Sequence, residues 1–515
     1  MFKFNFYCCL IFTLELVANL TLKAQSITSA QESFNDGNFF AVIKELTPMA
    51  EKNPDNKEVN LLLAKSYLNT NIDKTKAIPL LEKLLTLPAS DNENLLLLAR
   101  AYTYKFDFEK AQKTALKYKE LEPKKNEKQV AKIMADCNAA KELIKYPVDV
   151  KIENLGKTIN SEFPDYNPYI SKKGNQLIYT TRRKSNTAKR IEFDGYYASD
   201  IMQSTKSDST FGDAVTLTDY INSNYDEMAV GLSNDGNSLY LYLDHIDDYG
   251  DIYESIRKDG QFQKGEKLLK TINSNSMEAS ASISDDGQTL FFASDRPGGS
   301  GEFDLYMSRK LPDGKFGKAQ NLGNKVNTGL NENFPTLSSD GKTLYFCSEG
   351  HAGMGGYDIF VAIWDAELNT WSTPANIGYP INTPFDNKEI SITGDNDYGY
   401  ISAFDNNSFG DLDIYKITFN NVAYKPAIFR IQLLNDKGEE VYRNTPINVM
   451  DNTGELAGIY MPNKFNKKYL IALKPGRYEL QYADEGFQNY DEKFIVTEFH
   501  NKQEQNVKII KLRTK

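Results

Sequence analysis

The stretch Ser284-Asp285-Asp286-Gly287-Gln288-Thr289-Leu290-Phe291-Phe292-Ala293-Ser294-Asp295-Arg296, followed by Asp304-Leu305-Tyr306, decides the fold. A tight turn comes first and ends on Gly287, where a hairpin needs the positive φ that glycine adopts freely. Leu290-Phe291-Phe292 then has the aromatic and branched character of a strand. A loop leads to a second short strand at Asp304-Leu305-Tyr306.

Outward from this stretch, the same pattern recurs between residues 148 and 418. Each copy opens on an apolar residue and Asn: Ile159-Asn160, Ile221-Asn222, Ile272-Asn273, Val326-Asn327 and Ile381-Asn382. Ten residues after each Asn stands Ile170, Leu232, Ile283, Leu337 or Ile392, and fourteen after it Gly174, Gly236, Gly287, Gly341 or Asn396. An Asp then precedes an apolar pair at Asp200-Ile201, Asp251-Ile252, Asp304-Leu305, Asp358-Ile359 and Asp413-Ile414. A short strand closes the unit, as at Asn321-Leu322-Gly323 and Asn376-Ile377-Gly378. Such units hold four strands in about 50–60 residues, and their repetition predicts a β-propeller, because radial packing buries both faces of each sheet. No closing strand follows Tyr415, but Asn154-Leu155-Gly156 precedes the first unit. Val148–Gly156 is therefore expected to complete the last blade. The count is five blades, with six as the alternative.

The Ser-x-Asp-Gly turn, strand, Ser-x-Arg and Asp-Leu-Tyr of residues 284–306 resemble the TolB-type, WD40-like propeller repeat. Residues 27–146 carry helical periodicity with small residues at fixed offsets (Ala64, Ala77, Ala99, Ala111, Ala115) and prolines at unit ends. They resemble tetratricopeptide repeats, whose period is about 34 residues. A last helix over Glu127–Lys145 is expected to cap the stack. Residues 425–515 alternate apolar and polar, with a Pro475-Gly476 turn, and predict a β-sandwich of seven or eight strands. That tail resembles the carboxypeptidase-regulatory or transthyretin-like fold. Helical repeats, propeller and small β domain in this order resemble periplasmic PorE-like and OmpA-family proteins of the Bacteroidetes. The resemblance implies a place in the cell envelope and, for some members, in the type IX secretion and gliding apparatus. The sequence ends at Lys515 without an OmpA-type domain, so direct peptidoglycan binding is not expected.

The front of the chain supports export. Lys3, the apolar run Phe4–Val17 and the small Ala24 before Gln25 predict a signal peptide over residues 1–24. A short buried helix is the alternative. No other run is long and apolar enough for a membrane helix. The net charge of −10 repels phosphate backbones, so nucleic acid is not an expected partner. Removal of the signal leaves Cys137 and Cys347 in different predicted domains, which argues against a disulfide framework.

There is no Gly-x-Ser-x-Gly elbow, no Walker motif and no dinucleotide fingerprint. His245, His351 and His500 have no partner at metal-ligand spacing, and no cofactor is expected. Recurrence of a turn Asp in four of the five units (Asp235, Asp286, Asp340 and Asp395) points to turn stabilisation rather than calcium. One constellation remains. Five residues after each opening Asn stand Asp165, Glu227, Glu278, Glu332 and Asn387. The inner strand of a propeller begins here, on the face that also carries Arg182, Arg183, Arg296 and His351. Two readings follow: a ring of carboxylates at the channel mouth that docks a basic or polar partner segment, or a set of internal ties to backbone amides and arginines. The expected function is a non-catalytic periplasmic or outer-membrane-associated scaffold whose partners are envelope proteins. The alternative is a glycan-binding or glycan-processing propeller, which needs carboxylates about 5–10 Å apart in an open cleft.

Overall fold

The structure, a computed structural model, describes residues 27–515 except 72, 146, 208–209, 245–249, 367–368, 395–396, 421–425 and 497–505. The expected signal segment, His245, Asn396 and His500 lie outside the described residues.

Helices span 27–35, Phe39–Lys52, Lys57–Asn69, Ala77–Thr86, Glu93–Tyr104, Phe108–Leu121 and Glu127–Lys145. From Phe39 onward each packs against the next in order. Local chemistry sets their starts. The side chains of Asn38, Asn56 and Asp107 accept from the backbone N–H groups of Ala41, Val59 and Lys110. A cap of this kind contributes about 1 kcal/mol. Ala64, Ala77, Ala99, Ala111 and Ala115 are fully buried, so the helices approach where no larger side chain stands between them.

The described residues of 150–419 form five antiparallel sheets. Their first strands are Asp165–Ile170, Asp226–Leu232, Glu278–Ile283, Glu332–Leu337 and the short Ser391–Ile392. Their second strands are Gln176–Thr181, Ser238–Asp244, Thr289–Ser294, Thr343–Ser348 and Tyr398–Ala403. Their third strands are Asp200–Ser207, Ile252–Lys258, Asp304–Arg309, Asp358–Asp365 and Asp413–Phe419. The turns between first and second strands place Gly174, Gly236, Gly287 and Gly341 at φ of 66–76°. The outer strand of the fifth sheet comes from before the first unit. Val150–Asn154 runs antiparallel to Asp413–Phe419, with Val150 opposite Phe419 and Asn154 opposite Tyr415. The expected closure is thus present.

Each sheet buries one face against its successor. Ile178 and Ile201 meet Leu239 and Leu241; Tyr240 and Ile252 meet Ile283 and Phe292; Phe291 and Leu305 meet Leu344 and Phe360; Tyr345 and Val361 meet Ile401 and Ile417. The fifth sheet returns to the first through Tyr400 and Ile414 against Leu177 and Tyr179. The central part of the chain is a closed β-propeller.

The tail, 427–515, forms a three-stranded and a four-stranded sheet around one core that includes Phe429, Ile447, Val449, Tyr469, Leu480 and Ile510. Ala427–Leu434 runs parallel to Asn506–Lys511, whereas its other neighbour, Tyr469–Leu473, is antiparallel. The tail leans on the fourth sheet. Ile428, Leu470 and Ala472 contact Ile363, and Arg430 forms a buried 2.7 Å ion pair with Asp365.

Candidate functional site

The opening Asn of each unit is a clasp between neighbours. Asn327 accepts from the N–H of Leu305 (2.8 Å) and donates to the carbonyl of Leu305 (3.0 Å). Asn222, Asn273 and Asn382 hold Ile201, Ile252 and Ile359 in the same way. Asn160 holds Ile414 of the last unit, at 2.8 and 3.0 Å, and so locks the ring. An amide side chain carries the donor and the acceptor that a strand residue would otherwise supply.

The residue after that Asn always bears a hydroxyl: Ser161, Ser223, Ser274, Thr328 and Thr383. It ties down the side chain four positions further on. Ser274 donates its N–H (2.9 Å) and its hydroxyl (2.8 Å) to Glu278. Thr328 does the same for Glu332 at 2.7 Å each, and Ser161 for Asp165 at 2.6 and 2.8 Å. Ser223 binds Glu227, and Thr383 binds Asn387. All five acceptors are buried, the four carboxylates to within 2%. The open docking ring anticipated at Asp165, Glu227, Glu278, Glu332 and Asn387 is therefore absent from the surface. Each side chain closes the entry turn of its own unit, because a buried carboxylate requires donors close at hand.

The basic residues divide. Arg183 pairs with Asp165 at 2.9 Å and donates to the carbonyl of Ile159. Arg296 pairs with Glu278 at 2.9 Å and donates to the carbonyl of Ile272. His351 reaches the equivalent carbonyl, that of Val326, from Nε2 at 2.9 Å. Burial lowers its pKa and so favours the neutral ring. Arg182 is of another kind: it pairs with Asp194 and lies 5.1 Å over the ring of Tyr196. Glu227 and Glu332 form no ion pair among the described residues, and burial pushes both up to about 7.

The helices sit on this same face. Phe40 meets Tyr196 edge-on at 5.4 Å, Tyr104 meets Phe385 at 5.2 Å and Phe106 meets Tyr379 at 6.3 Å. Met354 is fully buried within the helical core. Asn71 donates to Asp411 at 2.7 Å, and the Tyr196 hydroxyl holds the other oxygen of that carboxylate. Lys132 pairs with Asp136 at 2.7 Å and reaches the carbonyl of Gly355 at 3.3 Å.

Beneath this cover lies a chamber of about 520 Å³ on the propeller axis. Its walls include the first-strand residues Tyr166, Asn167, Met228, Val230 and Phe334, with Met277 just before the third first strand. Its roof is Leu68, Asn69, Asn71, Lys74 and Arg100. Four first strands slip register here, between Tyr166 and Tyr169, Ala229 and Gly231, Glu278 and Ser280, and Asn333 and Thr336. Bulges bend a strand and redirect its side chains. Asn167 and Phe334 take φ of 51° and 49°, a strained region for a bulky aromatic residue. Among the described residues no group of three or more His, Cys, Asp or Glu is placed to hold a metal.

No family description matches the chain, and no curated protein matches it. Solved structures do. One titled as a putative TolB from Agrobacterium tumefaciens is 17% identical, covers 53% of this chain and 98% of its own, and has a TM-score of 0.29. An α-L-arabinofuranosidase from Lactobacillus brevis is 13% identical, covering 55% and 94%, with a TM-score of 0.32. At these scores the likenesses carry no functional argument, and the propeller rests on the strand pairing described above.

Proposed function

We propose that this chain is a non-catalytic scaffold of the bacterial cell envelope, a five-bladed propeller roofed by tetratricopeptide-like helices, which holds outer-membrane or secretion-complex proteins together. The observation that carries this reading is the helical roof. Helices and propeller meet at the buried Met354 and at the half-buried Phe385 and Tyr196, so two repeat surfaces are presented in one fixed relation. Repeat stacks and propellers both expose extended surfaces suited to protein partners. A role in type IX secretion or gliding belongs to this proposal, as does export by the segment ending near Ala24. The glycan-processing alternative needs carboxylates in an open cleft. Glu227 and Glu278 are instead buried and hydrogen-bonded within their own units, which favours the scaffold.

The test is affinity capture of the tagged full chain from cross-linked envelopes, followed by reverse capture with the purified chain. The expected result is an outer-membrane protein recovered in both directions, with the mature chain starting near Gln25. Recovery from the cytoplasm with Met1 intact, or turnover of an oligosaccharide panel by the purified protein, would overturn the proposal.

A further inference from the structure

The roofed chamber brings the cations Lys74, Arg100 and Lys388 into one lining with Asp386, Glu389 and Asp411. Lys74 is buried and gives one hydrogen bond, to the carbonyl of Leu68 at 2.9 Å. Its ammonium lies 5.1 Å from the centre of the Tyr104 ring. Arg100 donates from Nε to the Tyr104 hydroxyl at 3.1 Å. Lys388 stands 5.4 Å from the centre of the Tyr357 ring. Among the described residues none of these three cations has a carboxylate within 4 Å. Burial brings the pKa of Lys74 down to about 8; Asp386 and Asp411 act against that fall, and Arg100 and Lys388 act with it.

The chamber's carboxylates are occupied. Asp411 is held by Asn71 and Tyr196. Glu389 accepts from the N–H of Asn167 and the hydroxyl of Ser402. Asp386 accepts from the N–H of Tyr357 at 3.2 Å and is the one acid exposed beside the cations. The lining also has an apolar set: Met228, Val230, Met277, Ala279 and Phe334. A pocket of several hundred Å³ with an apolar wall and a few convergent polar groups has the form of a small-ligand site.

We propose that this chamber binds a carboxylate attached to an apolar body, with the carboxylate between Lys74 and Arg100 and the apolar body against Met228, Met277 and Phe334. A carboxylate fits the two cations by charge-assisted hydrogen bonds. Phe334 contributes an aromatic side chain to the wall. This site does not depend on the scaffold reading. The ligand's source is either a free carboxylic acid or the carboxyl terminus of a peptide.

Calorimetric titration of the full chain with hexanoate, hexanamide and acetyl-Gly-Leu-Phe, the peptide as acid and as amide, tests the proposal. At least one acid is expected to bind about ten-fold or more tighter than its amide. Tighter binding of hexanoate assigns a free acid, and tighter binding of the peptide acid assigns a chain terminus. Arg100→Gln is expected to remove the preference for acid over amide. Lys388→Gln, at an exposed position, gives the same trend should Arg100→Gln fail to fold. Equal binding of acid and amide, or no binding of either acid at millimolar concentration, would overturn the proposal.

Discussion

Inside the ring, five sheets meet through one set of contacts used five times. On the roofed face, helices meet loops through contacts that each occur once. The repeated set is also varied at one position. Asp165 and Glu278 are buried beside an arginine, Glu227 and Glu332 are buried without one, and Asn387 carries no charge. The same turn is thus closed by an ion pair, by a carboxylate held on hydroxyl and amide donors, or by a neutral amide. What the turn requires is an acceptor for the hydroxyl and N–H of Ser or Thr. The charge is incidental to the fold and sets its dependence on pH.

The largest way to break this comparison is Arg296→Leu. It leaves Glu278 fully buried without its cation and is expected to cost about 3–5 kcal/mol in urea unfolding. A loss below about 1 kcal/mol would mean that the serines alone suffice. Asn327→Ala leaves the N–H of Leu305 without its acceptor, while the carbonyl of Leu305 keeps the N–H of Leu322. Its expected cost is about 2–3 kcal/mol, since one buried donor loses its partner and a second bond is removed. On the roofed face, Asn71→Ala removes one bond to an Asp411 that Tyr196 still holds. It is expected to cost about 1 kcal/mol, and the contrast between the two asparagines measures the difference between clasp and roof.

The smallest effect is on pH dependence. Burial raises Glu227 and Glu332 to about 7 in the folded chain, from 4.5. The folded state therefore binds more protons than the unfolded state between these values. Their contribution to stability is full below about 4.5 and is lost as pH rises through about 7. Asp358, raised to about 7 by burial, acts in the same direction. Thermal unfolding should fall in temperature from pH 5.5 to pH 8, and Glu332→Gln should flatten that fall. An unchanged slope would place the titration elsewhere.

The repeated contacts were legible because period exposes them. The turn position stood fourteen residues after each opening Asn, the Asp before each apolar pair recurred 29 to 40 residues after it, and the Asn-Leu-Gly strand before the first unit matched the closing strands of later ones. The hydroxyl after each Asn was equally periodic. It is the signal that separates internal ties from a docking ring, since a Ser or Thr four residues before every carboxylate supplies its partner. The roof had no such signal. Asn71 and Asp411 are 340 residues apart, and Tyr104 meets Phe385 through side chains that recur nowhere else. The chamber follows from that docking, so Lys74, Arg100 and Phe334 carried no mark in the sequence that set them apart from surface and core.

The account turns on whether the carboxylates serve the ring or a partner. The direct measurement is near-ultraviolet circular dichroism and thermal unfolding of the triple variant Glu227→Lys, Glu278→Lys, Glu332→Lys. The account predicts loss of the tertiary signal and of the cooperative transition, because three buried acceptors become three buried cations. A variant that keeps the wild-type signal and melting temperature, yet no longer captures its envelope partner, would contradict it and restore an open docking ring.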